Sequence, residues 1–348
     1  MKSKFKGGVK MKNIEIAQML QISPATVSLA LNNRPGVSEE TKKKIIELRD
    51  SMMQSDIDSR AKNKDLGAIG LLVFKNKSEV ISETPFFVQT IDYVSSEIES
   101  CGYQFSIIYS SAEELTSMVE SINPLELKGL VVMGTEMTSE EVRFFQKHLE
   151  MPFVIVDAYF PDCDVDTVLM DNFAGITKSM NYAYDMGHRR IGFISTDKQC
   201  NNFRDRRSAF RMNVDMLGLD ENECPIFKLP LGTDEAKLKM AQYIRNGAVL
   251  PTVLVADNDR TAMGAMEALK DAGYKVPEQV SIIGFDDMPL VQYLTPSLTS
   301  ISLNQDRIAW MAVHRLIDKL TVPSERTKSV QQFVNVGLTI RKSVQEMK

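Results

Sequence analysis

The sequence predicts a small all-α helix-turn-helix domain followed by a doubly wound α/β body built on parallel sheets. Three observations carry this. Residues 13–41, NIEIAQMLQISPATVSLALNNRPGVSEET, read as two short helices joined by a tight turn, then a polar loop and a third helix start, a shape that fits a helix into the DNA major groove. From Leu66 onward, short apolar runs alternate with helical stretches, which is the signature of parallel strands with right-handed crossovers. Charge divides along the same line: residues 1–64 hold 13 Lys and Arg against 7 Asp and Glu, whereas the remainder holds 28 against 39. A basic head on an acidic body is the balance of a nucleic-acid reader fused to a module that does not bind nucleic acid.

In the head, the first helix is expected from about Ile14 to Leu20. Ser23 followed by Pro24 pairs an N-cap with proline at the first helical position, and the second helix runs to about Leu31. Ala17 suits a close helix–helix approach, with Ile22, Val27 and Leu31 as the apolar seam. Asn32 to Gly36 is a loop by composition. Ser38 caps a third helix, whose Glu39 and Glu40 favour the positive end of its dipole. The run Lys42–Lys44 reads equally as a solvated face or as a set of phosphate contacts. Periodicity is lost over residues 51–64, SMMQSDIDSRAKNK, as in a linker.

In the body, strands are expected at 67–74, 105–110, 129–134, 153–157, 190–195, 252–257 and 279–286, with helices that include Phe87–Ser100, Asn172–Met186, Arg204–Met216, Asp234–Arg245 and Arg260–Ala272. The spacing admits one large sheet or two smaller doubly wound halves. Ligands of such sheets bind outside the carboxyl ends of the strands. Those ends carry Asp157, Asp171, Asn258 with Asp259, and Asp286 with Asp287. Each alone reads as a helix cap or turn residue; their convergence at one end of a sheet points to a site.

Several function classes are disfavoured. No run approaches the ~18 apolar residues of a membrane span. The N-terminus is basic without an apolar segment of the secretory kind. Met11 reads as an alternative start, leaving 1–11 as a flexible extension. The four cysteines and three histidines are scattered, with no Cys-x-x-Cys or His-Glu-x-x-His, so no metal site, disulfide or cofactor is expected and a cytoplasmic location is. An enzyme on this fold calls for a phosphate-cradling glycine loop, and neither Gly-x-Gly-x-x-Gly nor Gly-x-x-x-x-Gly-Lys-Ser occurs. A periplasmic-type solute-binding protein fits the body but not the head.

Head and body together resemble the lac-repressor family of bacterial transcription regulators, from about Lys12 to Val344. The landmarks are ISPATVSLALNN with VSEET, AIGLLV followed by TPFF, MDNFAG, GHRRIGFI, the Asn258-Asp259 step before AMGAM, and IIGFDDMPLVQYLTPSLTSI. The resemblance implies a periplasmic-binding-protein-like body of two lobes joined by three crossovers. The domains are then a helix-turn-helix at 12–54, a hinge at 55–65 and a ligand-binding body at 66–342. Its N-lobe takes about 66–162 and 292–322, and its C-lobe about 163–291 and 323–342.

By the same resemblance, Ser23, Pro24, Ala25, Thr26, Ser28, Leu29, Asn32 and Asn33 are the candidate DNA-binding residues. Pro24, Ala25 and Leu29 match the groove-facing side of the recognition helix. The candidate effector-binding residues are Phe86, Phe87, Asp171, Arg206, Asn258 and Asp286. An arginine with carboxylates and aromatic rings suits a sugar, whose hydroxyls the charges bind and whose apolar face the rings cover. The expected function is a repressor-type regulator, not an enzyme, that binds a pseudopalindromic operator of double-stranded DNA as a homodimer under control of a small effector. A dimer is favoured because no leucine-heptad tail follows GLTIRKSV. Three departures stand out. Gln21 replaces the glycine usual in the turn. Leu29 stands where arginine is common. The hinge, with Asp56, Ile57 and Asp58, lacks the leucine that wedges into the minor groove.

Overall fold

The computed structural model describes residues 17, 20, 22–31, 37–38, 41–45, 66–76, 80, 86–111, 115–322 and 328–347. The chain divides into two units, residues 1–66 and 67–348.

In the first unit, helix α1 spans Pro24–Leu31. Ser23 caps it, accepting the backbone N–H of Thr26 at 3.1 Å. Ser38 does the same for Thr41 at 3.2 Å, at the start of the helical residues 41–45. Ala17, Val27, Ala30 and Ile45 form the buried cluster, with Leu20, Ile22 and Val37 packed against it. Ala17 is 2% exposed in this cluster, and its carbonyl accepts the Ile22 N–H at 2.9 Å. Gln21, Asn32, Asn33, Glu39, Glu40, most of the first helix, the side chain of Leu31 and the 51–65 linker lie outside the described residues.

The second unit contains two six-stranded sheets. The first is built from β1 (Ala68–Lys75), β2 (Gln104–Ser111), β3 (Gly129–Met133), β4 (Phe153–Val156), β5 (Thr167–Met170) and β11 (Gln331–Val334), in the order β11-β5-β4-β3-β1-β2. It is parallel throughout. Helices α2 (Phe86–Ser100), α3 (Leu115–Ile122), α4 (Ser139–His148) and α9 (Gln305–Thr321) cover its faces. The second sheet holds β6 (Ile191–Thr196), β7 (Ile226–Leu229), β8 (Val253–Ala256), β9 (Ser281–Asp286), β10 (Thr299–Ser302) and β12 (Gly337–Thr339). Its order is β12-β10-β9-β8-β6-β7, and only β12 is antiparallel. Helices α5 (Asn172–Asp185), α6 (Asn201–Met216), α7 (Thr233–Arg245) and α8 (Asp259–Asp271) belong to it.

Burial on both faces explains why the inner strands, such as β1, β3, β6 and β8, read as unbroken apolar runs. Along β1, Ile69, Leu71 and Val73 pack in the cluster of Val94, Ile98, Ile308 and Leu316 from α2 and α9. Leu72 and Phe74 alternate to the opposite cluster, with Met118, Ile122 and Val142, where Phe74 meets Phe145 edge-on at 5.9 Å between ring centroids. Across the second sheet, Leu254, Ala256 and Ile282 pack with Met240, Met266 and Leu269. One buried carboxylate fastens the first lobe. Asp166 accepts Arg315 Nε at 2.6 Å, Lys319 Nζ at 2.5 Å and the Val330 N–H at 3.0 Å, tying α9 to the approach of β11.

The lobe boundaries differ from those expected. β5 pairs with β4 (Ile155↔Thr167, Val156↔Val168), so the first lobe continues beyond residue 162 to about 170. β10 pairs with β9, which takes 299–302 into the second lobe. β11 pairs with β5, which returns 331–334 to the first. Four-residue segments such as TVLM, TSIS and QQFV carry no mark of which sheet they join; the partner strand decides. The chain therefore crosses between lobes after Met170, after Ser302 and between Val334 and Gly337.

Candidate ligand-binding cleft

A cleft of about 440 Å³ opens between the lobes. The first lobe contributes Phe87 from α2, Thr135 after β3, Asp157 after β4 and Met170 at the end of β5. Asn202, Phe203, Arg206, Asn258, Arg260 and Asp286 line it from the second. Every strand-derived polar group sits at a carboxyl end, as the doubly wound topology requires.

Arg206 organises the second-lobe wall. It is 3% exposed and projects from α6. Its Nε donates to Asn172 Oδ1 at 2.7 Å, and an Nη donates to the Asp257 carbonyl at 2.5 Å. The guanidinium lies 3.7 Å from the centroid of the Phe285 ring, a cation–π stack. The Asp286 carboxylate is 3.6 Å away. Asp286 ends β9 with φ 107°, and Asp287 follows at φ 49°. Left-handed backbone at a non-glycine residue costs roughly 1–2 kcal/mol, so the turn must be held. Asp259 holds it: its carboxylate accepts Ser300 Oγ at 2.6 Å and the Met288 N–H at 2.7 Å. Ser300 Oγ in turn accepts the Asp287 N–H at 3.1 Å. The glycine of the Gly-Phe-Asp step makes room, since a Cβ on Gly284 would sit 2.1 Å from Asp259 Oδ1.

The first-lobe wall is simpler. Asp157, at φ 66°, accepts Thr135 Oγ1 and, at 3.0 Å, Asn202 Nδ2. Asn202 also donates to the Asp157 carbonyl at 2.9 Å, and Asn201 Nδ2 donates to the Tyr159 carbonyl at 3.1 Å. These bonds cross from one lobe to the other. Asn202 Oδ1 accepts Asn172 Nδ2 at 2.9 Å, so a single chain of amides links Asp157 to Arg206.

One buried guanidinium thus faces three carboxyls, Asp157, Asp257 and Asp286. Burial dominates and raises all three, to about 6, about 7 and about 7, although Arg206 pulls each down. Asp259 is also raised well above its ordinary value by burial and by the charge of Asp286. The Cys200 thiol is pushed up to about 12 by burial.

Of the expected effector residues, Phe87, Arg206, Asn258 and Asp286 line one cleft. Asn258 spends its polar atoms internally: Oδ1 accepts the Thr261 N–H at 2.9 Å as the cap of α8, and Nδ2 donates to Asp257 at 2.7 Å. Asp171 is not among the lining residues; it caps α5, accepting the Ala174 N–H at 2.8 Å. Its neighbour Asn172 is the one that reaches Arg206. The side chain of Phe86 lies outside the described residues. Sequence reasoning marked Asp157 only as a polar strand end and passed over Thr135 and Asn202, which also line the cleft. Asn202 stood four positions before Arg206 on one helix face, a signal that was available.

In the head, the Ser23 and Thr26 hydroxyls lie 2.8 Å apart at the start of α1, Ser23 is exposed and Leu29 is half-buried. Pro24, Ala25 and Ser28 are on α1, their side chains outside the described residues.

Fold and cleft define a two-lobe α/β body with a cleft between its lobes, preceded in the sequence by a small helical unit. Residues 180–344 match the family described as periplasmic binding protein-like domain. The transcriptional repressor PurR of Haemophilus influenzae is 26% identical over 341 residues, covering 96% of this chain and 98% of the relative. The lac repressor dimer bound to operator and the anti-inducer ONPF superposes with a TM-score of 0.71 at 17% identity, covering 95% of this chain and 98% of that one. The CelR–cellobiose complex gives 0.69 at 19% identity, covering 94% and 98%. The chain is thus similar along nearly its whole length to transcriptional repressors, and it shares the fold of the lac repressor.

Proposed function

We propose that this protein is a ligand-responsive transcription regulator that binds a pseudopalindromic operator as a homodimer, with DNA affinity set by a small sugar held between the lobes of its body. The observation that carries the reading is the cleft itself. Its walls come from both lobes, its crossing hydrogen bonds are few, and its polar groups converge on one buried arginine. A ligand bound there touches both lobes at once and so biases their relative angle. The coupling this requires is modest, ~1–3 kcal/mol.

The charge pattern favours a neutral polyhydroxylated effector. Asp157 and Asp286 accept from hydroxyls, Arg206 donates, and Phe87 and Phe203 offer faces to the C–H side of a ring. A multiply phosphorylated ligand meets the two carboxylates unfavourably. The sugar-bound CelR structure supports this choice of class. On the DNA side, Ser23, Pro24, Ala25, Thr26, Ser28 and Leu29 are the proposed contacts on and before α1, with Asn32 and Asn33 beyond it. Leu29 in place of arginine favours apolar contact with thymine methyls over guanine reading.

Footprinting of the DNA upstream of the gene, with and without a panel of mono- and disaccharides, tests the proposal. Two protected half-sites about one helical turn or more apart, whose occupancy responds to one sugar, are expected. Protection of no pseudopalindromic site overturns it.

A further inference from the structure

We propose that Glu97, Cys101 and His314 form a binding site for a divalent transition-metal ion, with Zn2+ the ion their donors fit. None of the three takes part in the cleft. Glu97 lies in the last turn of α2 and Cys101 directly follows that helix, so an i,i+4 spacing puts both side chains on one face. His314 comes from α9, packed against α2. Their ligand atoms all lie within 4.8 Å of one another. His314 Nε2 is 3.0 Å from Glu97 Oε1, Cys101 Sγ is 3.9 Å from His314 Nε2, and Cys101 Sγ is 3.8 Å from Glu97 Oε1.

That triangle has the size of one face of a zinc tetrahedron. Bonds of about 2.3 Å to sulfur and 2.0–2.2 Å to nitrogen and oxygen put neighbouring ligands roughly 3.2–3.6 Å apart. Small side-chain rotations close the difference. Thiolate, imidazole and carboxylate together suit Zn2+ better than the hard ions Mg2+ or Ca2+, which take oxygen donors.

The imidazole is already braced. Trp310, one turn earlier on α9, stacks on His314 with ring centroids 4.2 Å apart, and the Arg307 guanidinium covers the Trp310 ring at 4.1 Å. The His314 side chain is 39% exposed and that of Glu97 24%, so an ion enters from solvent and a water completes the fourth position. Binding exchanges a proton for the ion: the Cys101 S–H bond breaks, its electron pair forms the S–Zn bond and the proton passes to water. The ion then clamps the C-terminal end of α2 to α9, at the far end of the helix whose first turn carries Phe87 into the cleft.

The test uses the full chain. Zn2+ affinity is measured by competition with a chromogenic chelator, and Co2+ serves as the spectroscopic probe. The expected result is one tight equivalent of Zn2+, a thiolate-to-Co2+ charge-transfer band, and a melting temperature that rises with Zn2+. Cys101→Ser should abolish the band, and Cys101→Ser and His314→Gln should each weaken Zn2+ binding at least tenfold, while Cys163→Ser leaves both readouts intact. Glu97→Gln, which retains a hydrogen-bonding group at the α2–α9 contact, should also weaken binding. Wild-type Zn2+ affinity in these variants, absence of the charge-transfer band, or a melting temperature indifferent to Zn2+ overturns the proposal and leaves the trio a polar contact between two helices.

Discussion

The two walls of the cleft are built on different principles. The second-lobe wall is assembled before any ligand arrives: Arg206 is fixed by an amide, a carbonyl and an aromatic ring, and the Asp286 turn is fixed through Asp259 and Ser300. Asp157 is the one carboxylate that the first-lobe wall brings to the lining, among Phe87, Thr135 and Met170, and it is held across the gap by Asn202. Under the proposed function, recognition is concentrated on the rigid side and closure on the other. Preorganised donors lose little freedom on binding, whereas a wall attached through cross-lobe hydrogen bonds such as those of Asn201 and Asn202 is the one expected to move.

The sharpest way to break this contrast is Arg206→Ala. It leaves Asp257 and Asp286 buried beside no cation. Removing one partner of a buried charge cluster costs roughly 3–5 kcal/mol, measured as a lower urea midpoint at constant m-value, and effector binding should be lost. A variant of wild-type stability shows that the second-lobe wall is not held by this arginine.

A smaller effect is expected from protonation. Asp157, Asp257 and Asp286 titrate near 6, 7 and 7 in the folded chain and near 4 when unfolded. The native state therefore holds more protons between about pH 4 and 7, and the contribution of these groups to stability falls as pH rises through that window. Asp286→Asn removes one of them. The pH-dependent loss of stability of the ligand-free protein between pH 4 and 7 should become shallower by up to about 1.4 kcal/mol per pH unit. An unchanged slope in chemical denaturation across this range contradicts the assignment of Asp286 as a buried, proton-holding group.

Asn202→Ala tests the closure side. It deletes the bonds to Asp157 and to Asn172, each worth about 0.5–1.5 kcal/mol. Small-angle scattering of the ligand-free body should show a larger radius of gyration, with effector affinity reduced several-fold. An unchanged radius would mean that the lobes are held together elsewhere.

How much of this was legible in the sequence follows the same division. The long apolar runs became β1, β2, β3, β4, β6, β8 and β9 within a residue or two; in all of these but the edge strand β2, burial on both sheet faces writes a continuous pattern. The short strands β5, β7, β10, β11 and β12 were not marked, since three or four residues fit a loop equally well, and the lobe boundaries went astray with them. Arg206 and Asp286 were marked as candidates through motif resemblance, and both line the cleft. Asp157 was noticed as a polar strand end, but its role depends on Asn202 reaching it over 45 positions. Glu97, Cys101 and His314 illustrate the limit most clearly. A search for metal-ligand spacing sees nothing, because His314 stands 217 positions from Glu97 and only the packing of α9 on α2 unites them.

The gentlest probe of the contrast is Phe87→Leu. Phe87 is 4% exposed and stands in the first turn of α2 at the edge of the cleft. Leucine preserves most of the apolar volume, so the loss of stability should stay below about 1.5 kcal/mol. What leucine lacks is the flat face that covers the C–H side of a sugar ring. If the first-lobe wall acts as a cover rather than as a source of polar recognition, the variant should bind the effector a few-fold more weakly while discriminating among epimers as before, because Arg206 and Asp286 still read the hydroxyls. Isothermal titration against a pair of epimeric sugars separates the two effects. A change in epimer preference would place recognition on both walls and dissolve the distinction between them.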